Sequence, residues 1–487
     1  MENGLAGPGL LNPMARFTQS SSLVPVIDLR GISVKYERKT FPGGAHINDF
    51  KGFTNSLETM EAQAPEKAYI PMSMHIGAPS RPLVEIGDEV RIGQKVAESQ
   101  GFVSVPAHSC VSGKVTEIRR MPIPSGRMVD TIVIDNDGKD EWVTPQRRTP
   151  QEVLDAMDIA TMQARVLEAG VVGMGGAAFP SHVKVAPSGD GKAFDYMILN
   201  GIECEPFITA DHRLMLERPE RIVAGIKYLL RMIGCGRGVI AIEENKMDAF
   251  ELMLRLTEKE PSIETVVCRE KYPQGSEKQL IQSITGREVP PGGLPADVGV
   301  LVHNVATAVA VADAIEYERP LIDRIVTLNG NGIGKPMNYR TRIGTLYGDL
   351  IAQSGGIVGK TAKIISGGPM MGFAVYTTDI PVTKSTSGIL VFNEDSQVLK
   401  REQERPCVRC ARCVDVCPMR LEPTTLVKAA KKSDWAKAKD YDITSCMECG
   451  SCSYTCPSMI PLVQYIRLAK QYVTSKDGNG AVNPFLV

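Results

Sequence analysis

Apolar residues recur along this chain in two alternating rhythms. From about Tyr69 to Ile134 the runs are short, β-branched and punctuated by glycine, as in Val84-Glu85-Ile86-Gly87-Asp88-Glu89-Val90-Arg91-Ile92-Gly93-Gln94, which predicts small antiparallel β structure with tight turns. Further on, Ile222, Val223, Ile226, Leu229, Leu230 and Ile233 fall at helical spacing, with Gly234 where a C-cap belongs. Candidate strands at Tyr196 to Leu199, Val239 to Ile242 and Ile263 to Val267 surround that helix, and a second helix is expected from about Lys246 to Glu258. Strands alternating with helices predict a mostly parallel sheet covered on both faces. The α/β part is expected to begin at Thr149-Pro150-Gln151-Glu152, where Thr can cap, Pro suits the first helical position and Glu completes a capping box. Near Asn329 to Gly372 short strands return, including Ile343-Gly344-Thr345 and Ile364-Ile365-Ser366-Gly367-Gly368-Pro369, and predict a small β-grasp unit.

These shifts divide the chain into a multidomain α/β protein: an N-terminal arm (1–40), a β domain (41–145), an α/β domain (146–325), the β-grasp unit (326–393), a cysteine-rich domain (394–470) and a tail (471–487). The arm, rich in Gly, Pro and Ser, is expected to be poorly ordered. The β domain's spacing resembles the barrel-sandwich hybrid of biotin and lipoyl carriers. Its hairpin tip reads Glu98-Ser99-Gln100-Gly101-Phe102, without the lysine that a carrier modifies.

At 487 residues and 43% apolar content, the chain has ordinary material for several buried cores. A formal charge of -1 gives no general pull toward nucleic acid or anionic lipid. The first twenty-five residues lack a basic start followed by an apolar run, so no signal peptide is expected. The longest apolar stretch, about Val298 to Ala312, is broken by His303 and Asn304 and falls short of the ~20 residues a membrane span needs. A cytosolic protein able to dock on a membrane partner is the expectation.

Twelve cysteines change the picture. Cys407, Cys410, Cys413 and Cys417 precede Pro418, and the same spacing repeats at Cys446, Cys449, Cys452 and Cys456 before Pro457. Thiolates at this step wrap three corners of a [4Fe-4S] cube, and in two-cluster modules the fourth Cys of each run ligates the other cube. Cys407, Cys410, Cys413 and Cys456 are therefore assigned to one cluster, and Cys446, Cys449, Cys452 and Cys417 to the other. Zinc sites or disulfides compete, but zinc needs only two CxxC pairs and explains neither the third Cys nor the trailing Pro. The 28 residues between the runs predict intervening helices. Cys110, Cys204, Cys235 and Cys268 lack pairing spacing and suit small buried hydrophobes.

A second candidate site centres on Gly173-Met174-Gly175-Gly176-Ala177-Ala178-Phe179-Pro180, with Lys184 downstream. Clustered glycines let backbone N–H groups approach a phosphate, and a following lysine adds a compact charge; an ordinary flexible turn is the alternative. Asn200 to Pro206 begins where a strand ends, which is where ligands bind in open α/β sheets. In an extended segment Glu203 and Glu205 face one side and can accept from sugar hydroxyls, or they are two solvated acids. His303-Asn304-Val305-Ala306-Thr307 places polar groups in an apolar run, where a ligand or the local backbone must satisfy them.

Together these segments resemble the flavin- and NADH-binding subunit of respiratory complex I. The resemblance implies that Gly173, Gly175, Gly176, Ala177, Lys184, Asn200, Glu203, Asn304 and Thr307 hold FMN, that Phe179 and Glu205 meet the nicotinamide nucleotide, and that Glu243 or Glu244 also contacts the cofactor. Met174 stands where that family has Arg, His303 where it has Asn and Ala306 where it has Glu. Over nearly the whole chain the order of barrel-sandwich region, Rossmann-like FMN/NADH domain, SLBB-like β-grasp unit and helical two-[4Fe-4S] ferredoxin domain is similar to the RnfC family, found in the Rnf ion-translocating NADH:ferredoxin oxidoreductases. The motif Ser366 to Gly372 and the phrase Lys384-Ser385-Thr386-Ser387-Gly388 add to it. What this implies is a peripheral subunit on the cytoplasmic face of the bacterial inner membrane. It would exchange hydride with NADH and pass electrons singly to other subunits of a membrane complex, with ferredoxin or flavodoxin reached indirectly. A flavin/iron-sulfur cobalamin reductase of the same architecture, and a non-catalytic electron-transfer scaffold with a decayed nucleotide pocket, are the rival readings.

Overall fold

The computed structural model describes residues 24–28, 33–144, 146–186, 193–399 and 403–477. Two units result, residues 1–38 and 39–487. Within the arm, Val24–Asp28 and Ser33–Tyr36 pair as antiparallel strands, so the β-branched run there builds regular structure where none was expected. Residues 1–23 and 29–32 of the arm lie outside the described residues.

In the larger unit, Lys67–Pro71, Met128–Asn136, Gly113–Pro122 and Glu89–Val90 form one antiparallel sheet. Arg81–Pro82, Lys95–Glu98 and Ala107–His108 form a second. Alternation along the strands sends Ile70, Val96, Val115, Ile132 and Ile134 into a shared core. Val172, Met174 and Ala178 from the glycine loop join that same core.

The α/β domain carries four parallel strands, β1 (Tyr196–Gly201), β2 (Gly238–Glu243), β3 (Ile263–Cys268) and β4 (Val300–Asn304), in the order β3-β2-β1-β4. The chain winds outward from β1 through β2 to β3, then returns to place β4 on the other side. Strand order therefore reverses between β1 and β4, which opens a crevice beyond their carboxyl ends. Helices α1 (Ala210–Glu217), α2 (Pro219–Ile233), α3 (Met247–Thr257), α4 (Glu277–Thr285) and α5 (Val305–Tyr317) cover the sheet. Helix α2 has Pro at its start and ends on Gly234 at φ 63°, as the pattern predicted. The helix near Thr149 differs: it spans Gln151–Ala156 behind Pro150 without a side-chain cap, because Thr149 Oγ1 instead accepts from Arg165.

Helices α2 and α5 cross at Gly225, where a Cβ would stand 2.1 Å from the Ala308 carbonyl oxygen. Backbone against backbone cannot yield locally. Gly225→Ala is accordingly expected to destabilise this domain by about 2–3 kcal/mol, read as a lower denaturation midpoint.

The β-grasp unit forms a six-stranded sheet in the order Phe373–Val375, Thr361–Ser366, Gly388–Asn393, Asp323–Asn329, Met337–Arg342 and Met60–Glu61, with the helix Tyr347–Gln353 packed on its core. Beyond it, the helices Pro423–Lys431, Trp435–Asp440 and Leu462–Asp477 build the cysteine-rich domain around Leu426, Ile443, Leu462 and Ile466. Trp435 stacks on Tyr472 at 4.8 Å. The last helix thus carries ordered structure past residue 470 to Asp477. Among the described residues no helix is long and apolar enough to cross a membrane.

Candidate functional site

The glycine loop closes on itself through the Val172–Pro180 bridge and the Gly173 N–H, which donates to the Phe179 carbonyl at 2.8 Å. Its tip meets the start of α5, where the Met174 N–H donates to Thr307 Oγ1 at 2.9 Å. A Cβ on Gly175 would lie 2.8 Å from Asn304 Cβ, so only glycine allows this approach. Gly176 and Ala177 are exposed, whereas Ala178 is buried and Phe179 is half-buried. Met174 is buried in the core shared with the barrel-sandwich strands. Apolar burial explains why a methionine stands at this position. A guanidinium is still present beneath the loop: Arg324 Nη2 donates to the Met174 carbonyl at 3.4 Å.

Asn304 caps α5 by accepting the Ala306 N–H at 2.8 Å, and its amide donates to Asp211 at 2.6 Å. Asn200 donates to the Gly275 carbonyl at 2.7 Å. Lys184 Nζ donates to the Val302 carbonyl at 3.1 Å and pairs with Glu277 at 3.0 Å. The structure thus gathers Gly173, Gly175, Gly176, Lys184, Asn200, Asn304 and Thr307 at the β1/β4 crevice. It adds Gly275 and Glu277, which the sequence signals did not single out; a glycine before an acid at the start of α4 was the available hint.

Glu203 and Glu205 correct the expectation of an extended, same-facing pair. Glu203 sits at φ 48° and turns back to accept the N–H groups of Asp211 at 2.6 Å and His212 at 3.3 Å, at the start of α1. Two buried lysines hold the kink. Lys51 Nζ donates to the carbonyls of Glu203 at 2.8 Å, Glu205 at 2.9 Å and Ile208, while Lys246 Nζ donates to that of Ile202 at 2.8 Å. Glu205 points the other way and accepts the N–H groups of Met370 at 3.0 Å and Met371 at 2.9 Å. Burial pushes its carboxyl up to about 7, against the pull of those two N–H groups.

Glu243 and Glu244 also lie elsewhere. Glu243 is buried against Lys246 at 3.2 Å, and Glu244 accepts the Glu270 N–H at 3.0 Å. Both line a polar cavity of about 300 Å³ with His46, Asp49, Lys51 and Lys271. The acid beside Lys184 is Glu277, whereas Glu243 and Glu244 face that separate cavity.

Ser181 Oγ, next to the glycine loop, and both ring nitrogens of His303, on β4, are buried without a partner among the described residues. Buried polar atoms normally have partners, and these stand on elements that end at the crevice. A close-approach glycine, exposed loop N–H groups, a lysine and unpartnered polar side chains suit a polar, phosphate-bearing cofactor such as FMN.

Lys384, from the Lys-Ser-Thr-Ser-Gly phrase, braces this site from below. Its Nζ donates to the carbonyls of Gly170 at 2.7 Å and Pro106 at 3.0 Å, and burial pushes its pKa down to about 7. Between about pH 7 and the ordinary lysine range near 10.5, the unfolded chain binds a proton that the folded chain lacks. Stability contributed here therefore rises with pH through that window, by at most about 1.4 kcal/mol per pH unit. Lys384→Met is expected to flatten the slope, seen by comparing urea midpoints of both proteins from pH 7 to 9.5.

None of the eight cluster cysteines is in a disulfide. Burial raises Cys413 first, and the neighbouring charges of Cys456, Cys407 and Cys410 raise it further. Burial likewise raises Cys452, followed by Cys449, Cys446 and Cys417. The thiols thus fall into two neighbourhoods, each of three cysteines from one run and the last cysteine of the other. Cys417, Cys446, Cys449 and Cys452 lie toward the α/β domain: Tyr272 Oη donates to the Cys449 carbonyl at 2.9 Å, and Gln279 donates to that of Pro418 at 3.3 Å. Cys407 and Cys410 are exposed. Cys110, Cys235 and Cys268 are buried, as their isolated spacing suggested.

Four family models match the chain in order. Residues 39–139 match the RnfC barrel sandwich hybrid domain, 166–313 the Nuo51 FMN-binding domain, 325–374 the SLBB domain and 399–457 the 4Fe-4S dicluster domain. The chain is 46% identical over 435 residues to the C subunit of the proton-translocating ferredoxin:NAD(+) oxidoreductase complex of Clostridium ljungdahlii, a match that covers 89% of this chain and 93% of the relative. The Na(+)-translocating counterpart of Acetobacterium woodii is 43% identical, covering 91% and 98%. The C subunit of the ion-translocating oxidoreductase complex of Rhodobacter capsulatus is 39% identical, covering 89% and 83%. Among solved structures, an NAD+-reducing [NiFe]-hydrogenase in the H2-reduced state aligns with a TM-score of 0.46 at 18% identity, over 67% of this chain and 65% of that one.

Proposed function

Because this chain belongs to the RnfC family of ion-translocating ferredoxin:NAD(+) oxidoreductase complexes, we infer that the β1/β4 crevice is its FMN and NADH site and that the two thiol neighbourhoods are its cluster sites. The chain is an oxidoreductase subunit with an FMN-binding domain and a two-[4Fe-4S] domain, and it works within a multi-subunit complex. Gly173, Gly175, Gly176, Lys184, Asn200, Asn304 and Thr307 would hold FMN, with Glu277 fixing the lysine. When bound, FMN supplies the exchange between the paired electrons of a nicotinamide hydride and the single electrons an iron-sulfur cluster accepts.

The protein's own contribution is binding and placement. Loop N–H groups and Lys184 meet negative charge, the Asn304 cap fixes the floor of the crevice, and the exposed Gly176–Ala177 edge leaves a nucleotide free access. Phe179, beside that edge, is the candidate for stacking on the adenine. Cys417, Cys446, Cys449 and Cys452 would hold the cluster nearest the crevice, and Cys407, Cys410, Cys413 and Cys456 the farther one. The observation that carries this reading is the docking of the Cys449 turn on Tyr272, which sets one thiol group directly against the FMN-binding domain. We place the protein on the cytoplasmic face of the membrane, where NADH is found.

Anaerobic titration of the loaded protein with NADH provides the test. Flavin absorbance should bleach first, followed by the clusters, on a preparation holding about eight irons and one FMN. Clusters that reduce with dithionite but never with NADH would favour the scaffold with a decayed pocket. Cluster bleaching that passes to a corrinoid, without co-purifying membrane subunits, would favour the cobalamin reductase.

A further inference from the structure

The two cysteine runs share a backbone plan but solve it oppositely. In Cys446-Met447-Glu448-Cys449, Glu448 has φ 60° and is 8% exposed, held by Arg467 at 2.8 Å and Lys470 at 3.2 Å. Met447 beside it meets the α/β domain, its Sδ lying 3.7 Å from Ser276 Oγ. In Cys407-Val408-Arg409-Cys410, Arg409 has φ 56°, so the turn is the same. Here, however, Arg409 is exposed, and so is Arg412; neither side chain has a hydrogen-bond or ion-pair partner among the described residues. Val408, the counterpart of the docked Met447, is 66% exposed.

Residues 405–412 read Arg-Pro-Cys-Val-Arg-Cys-Ala-Arg, with three arginines and no acid. The nearest acid in sequence, Glu404, is engaged by Lys431, and Asp415 lies a turn beyond. Where the inner turn seals its cluster against a domain, the outer turn presents an apolar residue and the guanidiniums of Arg409 and Arg412 around exposed ligands. An apolar spot inside a charged rim is the composition of a docking surface, and its sign selects the partner.

Resting on the functional reading above, we propose that electrons leave through the cluster of Cys407, Cys410, Cys413 and Cys456 to an electron-transfer protein whose acidic face docks on Val408, Arg409 and Arg412. When loaded, the site of Cys417, Cys446, Cys449 and Cys452 would take one electron from the flavin side, and that of Cys407, Cys410, Cys413 and Cys456 would pass it to the oxidised redox centre of the docked protein. No bond is made or broken in these transfers.

The test uses the full chain loaded with FMN and both clusters, reduced by dithionite, and an acidic two-[4Fe-4S] ferredoxin as oxidant in stopped flow. Oxidation of the wild type should slow steeply as salt rises, and Arg409→Glu with Arg412→Glu should slow it at least tenfold at low salt. Oxidation by a neutral quinone should be unchanged, as should both clusters' EPR signals. Arg409→Gln with Arg412→Gln should fall between, and Arg120→Glu with Arg127→Glu, on the barrel-sandwich turn, should match wild type. A salt-independent wild-type rate, or variants slowed equally toward the quinone, overturns the proposal. Dithionite bypasses the nicotinamide site, so failure of NADH to reduce the protein would count against the functional reading alone.

Discussion

Gly175→Val is expected to strip FMN from the protein while leaving about eight irons in place. A side chain there begins 2.8 Å from Asn304, whose own atoms are committed to capping α5 and to Asp211. Overpacking of this kind costs on the order of 3 kcal/mol, which converts to roughly a hundredfold weaker binding. Flavin fluorescence released on ultrafiltration measures the loss, and iron analysis checks that the cluster domain is intact. Retention of stoichiometric FMN would place the cofactor elsewhere.

Cys417→Ser is expected to behave like Cys446→Ser and unlike Cys407→Ser. If the fourth cysteine of each run serves the other run's cluster, removing Cys417 abolishes the cluster beside Tyr272 and leaves the outer one, with iron falling to about four per chain. NADH would still bleach the flavin, but reduction of the surviving cluster should slow by orders of magnitude. EPR of the dithionite-reduced variants distinguishes the two signals. A Cys417→Ser spectrum matching that of Cys407→Ser would mean uncrossed ligation.

The cysteine runs were legible because ligand geometry dictates their spacing locally, and the parallel strands because their apolar runs are continuous. Gly234 was legible for a similar reason, since a helix C-cap is decided by its neighbours. What escaped the sequence depends on distant partners. The left-handed turn at Glu203 needs Lys51 and Lys246 beneath it. Glu205 is claimed by N–H groups 165 and 166 residues away. Lys184 finds Glu277 across 93 residues, a pairing invisible from either segment alone. Met174 shows the same limit: its apolar character follows from packing against the barrel-sandwich core, which no local pattern in the loop announces.

Tyr272 Oη donates to the Cys449 carbonyl at 2.9 Å and lies 3.4 Å from Glu205 Oε1, and Glu205 in turn accepts the N–H groups of Met370 and Met371. A phenol and a carboxylate thereby lash three domains at one knot beside the inner thiols. Transfer across that joint needs no swinging arm, and its rate should be indifferent to added glycerol or sucrose, in contrast to carriers that ferry charge by diffusion of a tethered module.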